Sequence, residues 1–330
     1  MKKRAKVLAV MCSFTLLAGM TMACGSSGGE TKEIVTTNGE ETANAEGTEE
    51  EATDTEVTDV EIEEVEEVET DTADLEEEEE TGITIEEQVL LDHDGIVITA
   101  KEYVTDSVWG DGIKLLLENN SDKTVMVGCN ALIVNDYMIS DLFASEVAAG
   151  KKANEIMDLS STELEAAGIE DVGQIEIYFH IYDSETYDDM YNADCVTIQT
   201  SAYEKMDTDT TVDDVGSELY NADGIKIVGK TVDENSFWGT AILLYCENTS
   251  GKKVGISVEE MSINGFMMDP FFATTVYDGK KSLDEITVFS SDLEENEIEA
   301  IEEVELKFHI YDEDSYDTIA ESDPITFYAQ

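Results

Sequence analysis

Basic residues are scarce in this sequence. Lys and Arg number 18 against 78 Asp and Glu, a formal charge of −60, and Lys2, Lys3, Arg4 and Lys6 crowd the start of the chain. Nucleic acid is thereby excluded as a partner, because a phosphate backbone is bound by neutralising Lys and Arg, and no basic patch or stripe is present. Anionic lipid head groups would be repelled as well, so any membrane attachment has to come from acyl chains. Cysteine is scarce too. Of five, Cys12 and Cys24 lie in or beside an N-terminal apolar run, which leaves Cys129, Cys195 and Cys246, too few for a disulfide framework. Histidines number three, with no second His or Cys at metal-ligand spacing. There is no Gly-rich phosphate loop, no Gly-x-Ser-x-Gly elbow and no His-Glu-x-x-His.

What is present is a duplication. Trp109-Gly110, Glu118-Asn119, Gly150-Lys151-Lys152 and Phe179-His180-Ile181-Tyr182-Asp183 recur as Trp238-Gly239, Glu247-Asn248, Gly279-Lys280-Lys281 and Phe308-His309-Ile310-Tyr311-Asp312, every pair offset by 129 positions. An internal repeat outranks other sequence signals because it sets the architecture. The copies span about 89–203 and 218–330, the common size of an independently folding domain, and an acidic linker, 204–217, joins them. Cys129 and Cys195 share one copy, but their counterparts are Val258 and Pro324. The module therefore folds without a bridge between them, and buried thiols can serve as small hydrophobes.

Residues 1–23 read as a secretory signal peptide: a basic start, then an apolar run from Val7 to Met22 that falls short of the roughly 20 residues a spanning helix needs. Ala23-Cys24-Gly25-Ser26-Ser27 resembles the lipobox of bacterial lipoproteins. That resemblance implies that Cys24 becomes an acylated first residue, placing the chain on the outer face of the cytoplasmic membrane. Residues 24–88 are Glu, Asp and Thr with scattered apolar residues and Lys32 as the only base between Glu30 and Glu80. Such a segment cannot bury enough apolar surface to offset chain entropy, and its charges repel. It is expected to be a disordered, extended tether.

Within each copy apolar residues alternate, as at Ile175, Ile177, Phe179 and Ile181, or Val304, Leu306, Phe308 and Ile310. Period two means strands. Turn signals such as Asp94-Gly95 and Asn135-Asp136 separate them at sandwich spacing. Ser161-Thr162-Glu163-Leu164-Glu165 and Ser291-Asp292-Leu293-Glu294-Glu295 offer a cap followed by acids, predicting one short helix crossing between sheets. The fold class expected is all-β: two tandem immunoglobulin-like antiparallel β-sandwiches, each with one short helix.

The unit Leu115-x-x-Glu118-Asn119-x-Ser121-x-Lys123-x-Val125, repeated at Leu244, Glu247, Asn248, Ser250, Lys252 and Val254, resembles the strand-turn-strand signature of immunoglobulin-like domains in uncharacterised bacterial surface lipoproteins, many of them domains of unknown function. The resemblance implies a sandwich on an exported lipoprotein. It brings no catalytic or ligand residues with it.

Several side chains could carry binding chemistry. Trp109 and Trp238 could present exposed aromatics to carbohydrate or protein, although their retention alongside Tyr187/Tyr316 and Phe143/Phe272 points instead to core packing. Lys151, Lys152, Lys280 and Lys281 could dock an anionic partner or wall polymer, or simply face solvent and discourage edge pairing. Asp183, Asp188, Asp312, Asp314 and Asp317 could supply oxygens to Ca²⁺, but the loops lack the glycine and closing glutamate of an EF-hand. A solvated acidic turn is the simpler reading. His180 and His309 point away from the Phe and Ile face and are expected to hydrogen-bond a neighbouring backbone or carboxylate group.

The order of leader, anchor, acidic arm and repeated β module suggests a lipid-anchored surface protein acting as a non-enzymatic binding unit, with no cofactor. Its partner would be a cell-wall polymer or another surface protein. A cell-wall-acting enzyme, requiring a cleft of converging carboxylates with a raised pKa, and a low-affinity Ca²⁺-binding surface protein are the alternatives.

Overall fold

A computed structural model describes residues 31–36, 82–107, 110–140, 142–207, 215–236 and 239–329. The expected signal peptide, Cys24 and most of the acidic arm lie outside these residues. The first module consists of β2 (Gln88–His93), β3 (Ile96–Ser107), β4 (Gly110–Asn119), β5 (Val125–Val134), β6 (Tyr137–Ile139), β7 (Ala144–Val147), β8 (Lys152–Ser160), α1 (Ser161–Ala166), β9 (Gln174–Asp183), β10 (Asp189–Asn192) and β11 (Val196–Gln199). The second repeats that order: β12 (Ser217–Ala222), β13 (Ile225–Ser236), β14 (Gly239–Asn248), β15 (Val254–Ile263), β16 (Phe266–Met267), β17 (Ala273–Val276), β18 (Lys280–Phe289), α2 (Ser290–Glu295), β19 (Glu303–Asp312), β20 (Thr318–Glu321) and β21 (Ile325–Ala329). An additional strand, β1 (Thr31–Thr36), precedes them both.

Each module is an immunoglobulin-like antiparallel sandwich. In the first, β2, β3, β4 and β8 form one sheet, and β5 and β9 carry the other, flanked by β7 on one side and by β10 and β11 on the other. Alternation places the core: Ile175, Ile177, Phe179 and Ile181 of β9 are buried, as are Val304, Leu306, Phe308 and Ile310 of β19. Asp94-Gly95, Asn135-Asp136, Asp223-Gly224 and Asn264-Gly265 all have positive φ at both positions. That is the type I′ turn whose twist matches the flanking strands. Each short helix joins one sheet to the other, as expected. The cap sits earlier than the sequence suggested: Ser160, not Ser161, accepts from the Glu163 backbone N–H, and Phe289 at the matching place in α2 gives no side-chain cap.

The repeated Asn is the hub of the Glu-Asn-x-Ser-x-Lys unit. Buried Asn119 donates to the carbonyls of Lys123 and Val147, both at 2.8 Å, and its oxygen accepts from the Ser121 backbone and hydroxyl. Asn248 repeats all four bonds with Lys252, Val276 and Ser250. The motif that carries the family resemblance is thus a clamp on the strand ends. Among the described residues no disulfide forms, and Cys129, Cys195 and Cys246 are thiols. Burial pushes the Cys246 thiol up.

The modules touch. β6 of the first module pairs in parallel with β18 of the second, Tyr178 and Tyr277 meet with ring centroids 4.6 Å apart, and Val228 and Tyr245 of the second module join the first module's core cluster. Lys280 reaches across to Asp136 at 2.6 Å and to Glu176. The hairpin that docks this way in module one, with Tyr137 buried, has an uncovered counterpart in module two, where Phe266 and Met267 are 47% and 67% exposed.

Two parts of the expected tether are folded instead. Ile83 and Ile85 pack against the first core, and β1 adds to the second module, pairing with β13 through Thr31–Glu33 and with β21 through Ile34–Thr36. Ile34 is buried there, so one apolar side chain in an extended segment gains an apolar slot that composition alone did not reveal. The 204–217 linker is likewise shortened at its end, where Ser217 already belongs to β12.

Candidate functional site

Strand β9 turns its even-numbered residues outward, and Asp183 closes it. The Asp183 carboxylate accepts from the backbone N–H of Glu185 (3.0 Å) and Thr186 (3.2 Å) and from Lys123 Nζ (2.8 Å). Its carbonyl accepts from the Tyr187 N–H at 2.8 Å, while its own N–H donates to the Asp188 carbonyl at 3.0 Å. Lys123 first, then the two backbone donors, draw the Asp183 carboxyl down to about 2. The second copy repeats the turn around Asp312, with Asp314, Ser315 and Lys252 as donors, Tyr316 on its carbonyl and the Asp317 carbonyl on its N–H. Lys252 and those N–H groups hold the Asp312 carboxyl below the usual range as well.

At Asp183 and Asp312, two of the residues considered for calcium, the carboxylates are taken up by the turn. Their oxygens already accept from three donors, Asp188 and Asp317 contribute carbonyls to the turn, Asp314 pairs with Lys253 at 3.1 Å, and among the described residues no group of three or more His, Cys, Asp or Glu could hold a metal ion.

The turn has a second consequence. It forces Tyr187 and Tyr316 into the left-handed region, each at φ 59°. A non-glycine residue held there costs about 1–3 kcal/mol. Each ring folds back over its strand onto the preceding outward tyrosine: Tyr187 on Tyr182 and Tyr316 on Tyr311, with centroids 6.2 Å apart in both copies and planes within 26° and 20°. His180 and His309 extend the rows, 5.3 and 5.4 Å from Tyr182 and Tyr311. His180 is held by Asp189 at 2.9 Å, and His309 by Thr318 at 3.2 Å and Glu259 at 3.6 Å. The expectation of a hydrogen-bonded histidine holds for His180 and its carboxylate; His309 adds a hydroxyl.

Tyr187 and Tyr316, kept in both copies together with Phe143 and Phe272, are 76% and 69% exposed. Those two phenylalanines do pack against the cores. Stacking of the two tyrosines returns about 0.5–1.5 kcal/mol, no more than the backbone strain, so stability does not select Tyr over Gly at this place. Two copies that differ at many polar positions both keep it. The outward positions of the repeated Phe-His-Ile-Tyr-Asp strand were the available sequence signal.

The other candidates are distributed as follows. Trp109 and Trp238 lie outside the described residues. Lys151 is exposed in its turn; Lys152 pairs with Glu118; Lys281 lies over the Tyr137 ring at 5.3 Å. Lys280 is committed to Asp136 and Glu176 and cannot also receive an external anion. Two hollows occur near the helix ends, one lined by Met267, Met268, Phe289 and Asp292 and the other by Gly110, Asp111, Leu164 and Glu165. The carboxyls that burial pushes up, Asp284, Glu285 and Glu313, line neither.

No family model and no curated protein matches this chain. Among solved structures it is similar to an exo-chitosanase from Amycolatopsis orientalis (11% identity, 67% of this chain and 26% of that one, TM-score 0.23). It is also similar to the SafA pilin in complex with the SafB chaperone from Salmonella enterica (10%, 66% and 88%, TM-score 0.19) and to a protein of unknown function from Porphyromonas gingivalis W83 (10%, 66% and 89%, TM-score 0.17). The chain thus spans about a quarter of the chitosanase. At these TM-scores nothing about activity or partners passes to it.

Proposed function

We propose that this chain is an exported lipoprotein, anchored through Cys24 to the outer face of the cytoplasmic membrane, whose tandem modules bind cell-wall polysaccharide without catalysis. The observation that carries the binding reading is the pair of strained, exposed tyrosines, Tyr187 and Tyr316, each stacked at the end of an aromatic row at the same place in both modules. A pyranose ring presents an apolar face to such a platform and hydroxyls to the flanking polar groups. The leader, the lipobox-like Cys24 and the repeated modules support surface display, and among the described residues no helix is long and apolar enough to cross a membrane.

Charge narrows the ligand. A chain of −60 repels polyanions, and Lys280, Lys281 and Lys152 are engaged within the chain. A neutral glycan fits better than an anionic wall polymer. Two platforms on one body also suit a repeating polymer, where the second contact is intramolecular and adds avidity.

Glycine tolerates a φ of 59° without strain, so Tyr187→Gly and Tyr316→Gly should leave the fold intact. Co-sedimentation of the purified protein with insoluble neutral wall polysaccharide is expected to weaken roughly three- to tenfold for each single variant and to be lost in the double variant. Unchanged sedimentation of the folded double variant overturns the reading.

A further inference from the structure

We infer that module two carries a strand-acceptor slot for which its own sequence supplies no strand, and that the slot's ligand is the extended segment Thr31–Thr36 from the start of the chain. The repeat makes the comparison direct. In module one the slot is filled locally: Ile85, just upstream of β2, bridges Thr200. In module two the counterpart of Thr200 is Ala329, and the residue paired with it is Ile34. The residue 129 positions after Ile85 is Asp214, whose carboxylate cannot replace a buried isoleucine without a large desolvation cost.

Module two is adapted to the incoming strand at several positions where module one is not. Gly229 replaces Ala100, and a Cβ there would stand 3.0 Å from Ile34 Cδ1 and Cγ2. Ser217, in place of Gln88, donates its hydroxyl to the Ile34 carbonyl at 2.6 Å. Glu234, in place of Thr105, accepts from Lys32 Nζ at 2.9 Å and from the Ile301 N–H at 2.7 Å. The contact that holds the local segment in module one, Lys101 with Glu87 at 2.5 Å, is lost: Gly216 stands for Glu87, and Lys230 donates to the Val215 carbonyl instead. Main-chain pairing plus one apolar pocket is the usual physics of strand addition.

If Cys24 is lipidated as proposed, seven residue steps separate it from Thr31 of β1, at most about 25 Å. Module two, although second in sequence, then sits nearer the membrane.

Hydrogen exchange of the full chain tests the slot independently of lipidation and of glycan binding. Ile34→Asp is expected to raise exchange at 31–36, 231–233 and 327–329 and to leave module one unchanged. A labelled peptide of residues 29–38 should then bind the Ile34→Asp chain at least tenfold more tightly than the wild type, whose slot is filled. Equal peptide binding to both chains, or unchanged exchange at 231–233 and 327–329, overturns the proposal. Should Ile34→Asp unfold module two outright, Glu234→Gln removes the charge opposite Lys32 while keeping an amide oxygen that can accept from the Ile301 N–H; it is expected to raise exchange over 31–36 several-fold, and no change there overturns the proposal equally.

Discussion

Lys280→Met is expected to uncouple the two modules, while the matching change in the other copy, Lys151→Met, leaves the protein as it was. Burial works against the Lys280 charge, yet its hydrogen bonds to Asp136 and Glu176 more than offset that and hold its pKa above the ordinary lysine value. The side chains of Lys280 and Glu176 are only 13% and 14% exposed. Removing the cation leaves two neighbouring carboxylates, one of them nearly buried, with no counter-charge, a change that costs about 3 kcal/mol. The loss falls on the contact between modules, not on either core. Denaturant unfolding of the wild type, followed by tyrosine and tryptophan fluorescence, should then give one transition, and Lys280→Met two. Lys151 sits exposed in its turn, so its variant should stay within about 0.5 kcal/mol of wild type. Equal effects of the two substitutions would mean that the modules do not dock through this lysine.

Asn248→Asp is expected to be nearly as damaging although it changes one atom. Asn248 is fully buried and its amide nitrogen donates to two carbonyls, Lys252 and Val276. A carboxylate there sets negative oxygen against both carbonyls and leaves them without donors. Each buried group stripped of its partner costs about 1–3 kcal/mol, so a loss of about 3 kcal/mol or more at neutral pH is expected in urea unfolding. The sign with pH is defined. Burial raises the folded pKa of the new carboxyl above its unfolded value, so the penalty relative to wild type is greatest at neutral pH and shrinks as the group is protonated in acid. Asn119→Asp should behave alike in module one, and a variant as stable as wild type would remove the clamp from the account of the fold.

Much of this architecture is written in local pattern. Alternation at Ile175 to Ile181 gave the strands, Asp94-Gly95 and its counterparts gave the hairpins, and the constant 129-residue offset gave two sandwiches. The clamp was visible as Asn-x-Ser-x-Lys, though its partner Val147 was not, because that contact closes across 28 positions. β1 was hidden for the same reason on a larger scale: Ile34 lies in a polar, acidic stretch, and its partner Ala329 is at the other end of the chain. Lys151 and Lys280 share the glycine before them and the lysine after them and have different fates, since only the second meets another module. Tyr187 and Tyr316 were not singled out, because retention in both copies is equally compatible with a core residue and a surface platform. What separates the two is the hydrogen-bonded turn at Asp183 and Asp312, which throws each ring outward.

The two platforms are tested most directly by following the ring protons of Tyr187 and Tyr316 by NMR while a soluble neutral wall oligosaccharide is added to the intact protein. Both rings should shift over the same concentration range, together with Tyr182 and Tyr311 beneath them. Shifts confined to other surfaces, such as the hollow beside Met267 and Phe289, or no shift at all, would contradict it.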